Sequence, residues 1–208
     1  MLELDPALSA RGEAQAARLA KRLSELPVTT VVSSPLRRAQ QTAAATADVL
    51  GLEVVTHLDL DEIRFTADAN KEVFARTSAR HMEPDVDDYA STAMAAVHAV
   101  PRFVWGGNGR GENGDQLRGR ADVALAEVVA EHGGGVVAVF THGGFISAAI
   151  GGWLGIGRDM WLVPWHTSVS TVLVTPDDKV VIGVNDASHL YPDEDPLGIV
   201  TRAIGARL

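Results

Sequence analysis

Apolar and polar positions along the chain alternate between short β-branched runs and longer stretches with helical spacing. Behind Ser9, a residue type that caps helices, Leu19, Leu23 and Leu26 recur at three- and four-residue intervals. That spacing predicts a helix to about Leu26, stopped by Pro27. Residues 29–32 are short and β-branched, a buried strand running into Ser33-Ser34-Pro35. An alanine-rich helix is expected from about Leu36 to Leu50, with Gly51 in its C′ position, then a strand over 53–56. Residues 59–114 are irregular, with helices expected near 70–81 and 87–100 and a glycine-rich run over 106–111. Leu117, Ala121, Leu125, Val128 and Val129 lie on one face of an amphipathic helix closed by Gly133-Gly134-Gly135. Next comes a buried strand, Val136-Val137-Ala138-Val139-Phe140, then Thr141-His142-Gly143-Gly144 and a helix to about Leu154. Strands over 168–174 and 180–184 flank the turn residues Asp177-Asp178, and the tail from Ser188 is acidic, then weakly helical.

Strands alternating with helices predict a mostly parallel sheet covered on both faces, with the last two strands adding an antiparallel edge. The 208 residues suit a single domain over 1–208, large enough to bury roughly 70–75% of its unfolded surface. A net charge of −9, from 18 basic and 27 acidic side chains, argues against nucleic acid and anionic membranes as partners. It leaves room for a small phosphorylated ligand in a local basic pocket. The absence of cysteine excludes disulfides, thiol catalysis and cysteine-held metals. No apolar run approaches the roughly 20 residues of a membrane span, and the first residues lack a signal-peptide pattern, so a cytoplasmic location is expected.

Candidate chemistry lies at strand-to-helix junctions, where backbone N–H groups and the helix dipole favour anions. His142 ends a strand there, and Gly143-Gly144 behind it let a ligand approach the backbone closely. A structural histidine is the plainer reading of His142 taken alone. Arg37 and Arg38 stand in the first turn of a helix, at its positive end, an unfavourable place unless an anion compensates; two solvated surface arginines are the plainer reading of the pair taken alone. Successive helical residues point about 100° apart, so only one of the pair can face a pocket. Glu62, taken alone, reads as a surface group. The run 106–111 lacks the Lys-Ser/Thr of a nucleotide loop and reads as a connection.

In order, five segments resemble the histidine phosphatase superfamily, the phosphoglycerate-mutase-like clan. They are Leu8-Ser9-Ala10-Arg11-Gly12-Glu13-Ala14-Gln15-Ala16, Ser33-Ser34-Pro35-Leu36-Arg37-Arg38-Ala39, Asp61-Glu62-Ile63, Thr141-His142-Gly143-Gly144 and Asn185-Asp186-Ala187-Ser188-His189-Leu190. The resemblance implies a three-layer α/β/α fold and phosphomonoester hydrolysis through a phosphohistidine, with no cofactor and no metal. It implies that Arg38 and Gly143 bind phosphate, that Glu62 is the acid and base, and that His142 stabilises the moving phosphoryl group. It also implies a nucleophilic histidine in an Arg-His-Gly motif on a first, central strand. That triplet is missing here, and the family's Gly-Glu-Ser run stands as Gly111-Glu112-Asn113. Residues 64–113 correspond to a lid or insertion region. Three readings follow: an N-terminally truncated phosphatase, which is favoured because the core expects that strand; a non-catalytic relative binding phosphorylated ligands through Arg38 and His142; and a plain α/β domain with no pocket. A mutase is the less favoured enzyme, and the chain as written is expected to be inactive.

Overall fold

The computed structural model describes residues 5–64, 111–162 and 164–190. The helices expected over 70–81 and 87–100, nearly all of the 64–113 lid and the tail beyond 190 lie outside the described residues. The described elements run in order α1 (Ala10–Leu23), β1 (Val28–Ser33), α2 (Arg37–Leu50), β2 (Val54–Thr56), a 3-10 turn (Leu58–Leu60), α3 (Gly114–His132), β3 (Val136–Phe140), α4 (Gly143–Trp153), β4 (Val169–Val174), β5 (Lys179–Asp186) and a second 3-10 turn (Ser188–Leu190).

Local chemistry sets most boundaries. The Ser9 side chain accepts from Gly12 N and caps α1. Gly51 ends α2 at φ 67°, the left-handed conformation that glycine adopts without Cβ strain. Asn113 and Gln116 form a reciprocal capping box on α3, so Asn113 takes the role a serine would fill there. Helix α1 stops at Leu23, three residues short of expectation, because Pro27 disfavours helical backbone at Leu26 and Ser24 Oγ donates to Lys21 O at 2.7 Å. Leu26 is consequently exposed instead of completing the apolar face.

β1 is the centre of a parallel sheet ordered β2-β1-β3. Its consecutive residues Val31 and Val32 are both fully buried but point to opposite faces. Val31 joins Leu19, Leu23, Ala43, Ala47 and Phe140 under α1 and α2. Val32 joins Leu60, Ile63, Leu117, Ala121, Ala124, Val128 and Phe145 under α3 and α4. Two cores on one sheet make a three-layer α/β/α arrangement.

The last two strands differ from expectation. They pair antiparallel with each other, but among the described residues neither bonds to the parallel sheet, so β4-β5 is a separate two-stranded sheet. A hairpin alone is marginal, and side chains hold it in place. Val169 packs into the core that contains Phe140. Arg22 pairs with Asp186, and Arg18 donates to Leu190 O at 2.9 Å. At the hairpin end Lys179 reaches Asp122 at 2.6 Å and lies over the Trp153 ring.

Candidate active site

Parallel pairing of β1 with β3 matches Ser33 to Phe140, so the two strands end side by side. The helices that follow, α2 and α4, therefore begin next to each other at one edge of the sheet. Two bonds lock the junctions together. Ser34 N donates to Phe140 O at 2.9 Å, and Ser34 Oγ lies 2.7 Å from His142 Nε2 in a fully enclosed contact.

His142 is the N-cap residue of α4 and is only 6% exposed. Burial, with the nearby positive charges of Arg38 and Arg120, pulls its pKa from 6.5 to about 3. The imidazole is thus neutral at physiological pH, with one donor and one acceptor nitrogen. Ser34 fixes the orientation of that ring.

Glu62 reaches the same helix end from the other side. It follows the 3-10 turn over Leu58–Leu60, whose Leu60 carbonyl accepts from Thr141 Oγ1 at 2.6 Å. Leu60 and Ile63, flanking it, are both in the α3/α4 core. Between these anchors the carboxylate accepts from Ile63 N at 3.0 Å and from Gly144 N at 3.4 Å. Burial raises its pKa, and the bonds from Ile63 and Gly144, the Arg38 charge and Phe145 N only partly offset that. A carboxyl group held in this way can keep a proton longer than a solvated glutamate.

Arg38 is in the first turn of α2, and its charge acts on both Glu62 and His142. The structure therefore brings Arg38, Glu62 and His142 to one place. The compensating anion expected beside the paired arginines is Asp5. Its carboxylate accepts from Arg37 N at 2.9 and 3.0 Å and lies 3.7 Å from Arg38 Nη1. Leu36, the N-cap residue, has no side-chain cap of its own, so Asp5 supplies one from far upstream.

The two glycines behind His142 are not equivalent. A Cβ on Gly143 would meet Pro164 Cδ at 3.5 Å, an ordinary contact. A Cβ on Gly144 would overlap Glu62 Oε1 and lie 3.3 Å from its Cδ. Gly144 is thus the position where the carboxyl group demands a glycine, while Gly143 keeps the first helical position open beside His142.

Sequence reasoning missed Asp5, Ser34 and Arg120. Asp5 and Ser34 carry no local signal, because their partners are 32 and 108 positions away. Arg120 does carry one: it lies three residues after Leu117 and four before Ala124, on the apolar face of α3. Among the described residues no group of three or more His, Asp or Glu side chains is arranged to hold a metal. No described helix is long and apolar enough to cross a membrane.

The family model described as the histidine phosphatase superfamily (branch 1) matches residues 2–187. Over 142 residues the chain is 28% identical to the probable phosphoglycerate mutase GpmB of Enterobacter sp. (strain 638). That match spans 67% of this chain and 59% of the relative, less than two thirds of its length. YhfR of Bacillus stearothermophilus superposes with a TM-score of 0.69 at 24% identity, covering 89% of this chain and 88% of that one. A phosphoserine phosphatase mutant of Entamoeba histolytica, in complex with phosphoserine, gives 0.65 at 20% identity, covering 89% and 87%. These two likenesses establish a shared fold.

Proposed function

The chain belongs to the histidine phosphatase superfamily, branch 1, and from that premise we propose that Arg38, Glu62, His142 and Gly143 form a phosphomonoester site. The observation that carries the reading is the Glu62 carboxyl group, raised in pKa and held against the first turn of α4 beside a neutral His142, with the Arg38 charge acting on both. The Arg38 guanidinium matches the oxygens of a phosphate dianion. His142 donates to the phosphoryl oxygens as charge spreads over them, and the amides of Gly143 and the helix start add fixed dipoles. Protonated Glu62 gives its proton to the leaving oxygen and then takes one from the attacking water.

In this reading a histidine nitrogen forms a bond to phosphorus as the ester oxygen leaves with the Glu62 proton. Water then displaces the nitrogen and yields inorganic phosphate. The 208 residues contain no Arg-His-Gly triplet to supply that nitrogen. The chain as written is accordingly a phosphate binder without turnover, and a form carrying the triplet on a strand ahead of Asp5 is a phosphatase. The substrate is a small phosphorylated compound; one neighbour by fold is complexed with phosphoserine. No cofactor or metal enters the scheme.

The test compares two proteins on an aryl phosphate: the present chain, and the same chain with an extended Arg-His-Gly segment fused ahead of Asp5. The first should bind inorganic phosphate, seen as shifts at the His142 and Gly143 resonances, with no hydrolysis. The second should release phosphate and trap an acid-labile phosphohistidine on quenching. Turnover by the present chain that His142→Ala abolishes would overturn the reading, as would the absence of phosphate binding. Because one curated relative is named a probable phosphoglycerate mutase, the fused form is also assayed for transfer to a phosphoglycerate hydroxyl. Transfer without net phosphate release would make it a mutase.

A further inference from the structure

Arg120 is a charged side chain on the buried face of α3, only 9% exposed, and it touches none of Arg38, His142 or the Glu62 carboxyl group through a hydrogen bond. Its donors go elsewhere. Nη1 donates to Asp59 O at 2.7 Å, to Asp61 O at 3.0 Å and to Asp61 Oδ1 at 2.8 Å. Nη2 reaches Glu62 O at 3.2 Å. Nε and Nη2 form a bidentate fork on Glu112, at 2.8 and 2.7 Å. Glu112 in turn bonds the segment beyond Glu62, its N donating to Arg64 O at 2.7 Å and its Oε2 accepting from Arg64 N at 3.2 Å. The guanidinium also lies over the Phe145 ring, 5.8 Å from its centroid, in the first turn of α4.

One planar group thus grips the backbone on both sides of Glu62, directly at 59, 61 and 62 and through Glu112 at 64, while resting on the helix that the carboxyl group faces. Five donors in a rigid fork are all engaged. Three backbone carbonyls ending on one guanidinium leave the turn few ways to rotate. We propose that Arg120 is the positioning residue for Glu62, holding the 59–64 turn so that the Glu62 carboxyl group stays against the Gly144 amide. The inference deepens the phosphomonoester reading: it names what aims the acid that reading requires.

The primary test uses ligand-free protein and therefore does not depend on phosphate binding. Glutamate carboxyl carbons are labelled, and the Glu62 titration is followed by NMR together with hydrogen exchange at the Gly144 amide. In Arg120→Met the Glu62 midpoint should fall to the ordinary glutamate range and Gly144 exchange should speed at least about tenfold, as the carboxyl group swings out to solvent. Arg120→Lys, which keeps the charge but loses the fork, should behave in the same direction. Arg118→Met, on the same helix and paired with Asp115 and Asp159 instead, should leave both readouts at wild-type values. If Arg120→Met does not fold, Glu112→Gln, which weakens the fork from its other side, is read in the same way.

A folded Arg120→Met or Glu112→Gln protein with an unchanged Glu62 midpoint and unchanged Gly144 exchange overturns the proposal. In the fused Arg-His-Gly form, Arg120→Lys should lower kcat by about 100-fold with KM nearly unchanged, the signature of a misaimed acid. Equal kcat overturns it as well. Failure of phosphate binding in the wild type with the Glu62 shift intact would sink the phosphate reading alone.

Discussion

Substituting alanine at each of the two glycines behind His142 separates backbone propensity from the needs of the site. Both positions are in the first turn of α4, where alanine is intrinsically the better helix former by about 1 kcal/mol or less. At Gly143 the added methyl carbon meets only Pro164 Cδ, at 3.5 Å. Gly143→Ala should therefore be neutral or stabilising by a few tenths of a kcal/mol up to about 1 kcal/mol. At Gly144 the same carbon would overlap Glu62 Oε1, so the carboxyl group must move by about 1 Å, enough to lose a well-aligned bond. The displaced group gives up its bond from Gly144 N and strains the one from Ile63 N. An ordinary hydrogen bond contributes about 0.5–1.5 kcal/mol, the 3.4 Å Gly144 contact is at the long limit of one, and relief of Glu62 burial and the gain in helix propensity offset much of the loss. The net stability change for Gly144→Ala should thus stay within about 2 kcal/mol, while the Glu62 titration falls toward the solvated value. Urea unfolding gives the first quantity and carboxyl NMR the second. If Gly144→Ala retained the raised Glu62 midpoint, or if Gly143→Ala perturbed it as strongly, the account of these two glycines would be wrong.

Two further predictions concern His142 and Asp5. Folding holds the His142 pKa at about 3 against 6.5, so between those values the unfolded chain binds a proton that the folded chain refuses. Stability contributed by neutral His142 is therefore full above about pH 6.5 and is lost as pH falls toward 3, about 2.5 kcal/mol of it between pH 7 and pH 4.5. Glu62, with its pKa raised, contributes the opposite slope in wild type and variant alike. Urea stabilities of wild type and His142→Gln at the two pH values should differ by that amount, and parallel profiles would refute it. Asp5→Ala should cost about 1 kcal/mol by uncapping α2, with Asp5→Asn recovering most of it; equal losses in the two variants would show that the charge beside Arg38, not the cap, matters.

The sequence made the layers legible because each rests on a local period. Leu19 and Leu23 mark the buried stripe of α1, and Leu117, Ala121 and Val128 mark that of α3, and all five are buried. Gly51 ended α2 where its position promised. Leu26 misled for a reason local periodicity does not contain: the restriction that Pro27 places on its predecessor ends the helix before the face is complete. Arg37 and Arg38 raised the question of a compensating anion without naming one, since Asp5 arrives from a segment that precedes α1. Gly143 and Gly144 read alike as letters, and only the position of Glu62 tells them apart. Arg120 was the recoverable case, a charge on an otherwise apolar helical face that should have prompted a search for its carboxylate partners.

The separation of β4-β5 from the parallel sheet among the described residues bears on what holds the proposed site. Everything that would hold a phosphate comes from the ends of β1 and β3 and from the turn anchored on Leu60 and Ile63. Those strands pair directly with each other, and their junctions are bonded by Ser34 to Phe140 and to His142. None of these contacts passes through β4-β5, which is tied to the rest by Arg22, Arg18, Lys179 and the packing of Val169. The proposed anion site is therefore stiffened by the parallel β2-β1-β3 sheet and the two cores on its faces. Binding and attack become separable properties. In the proposed reading, the residues that would position and protonate a phosphate ester are held by contacts among the described residues, and a histidine nucleophile would add the covalent step.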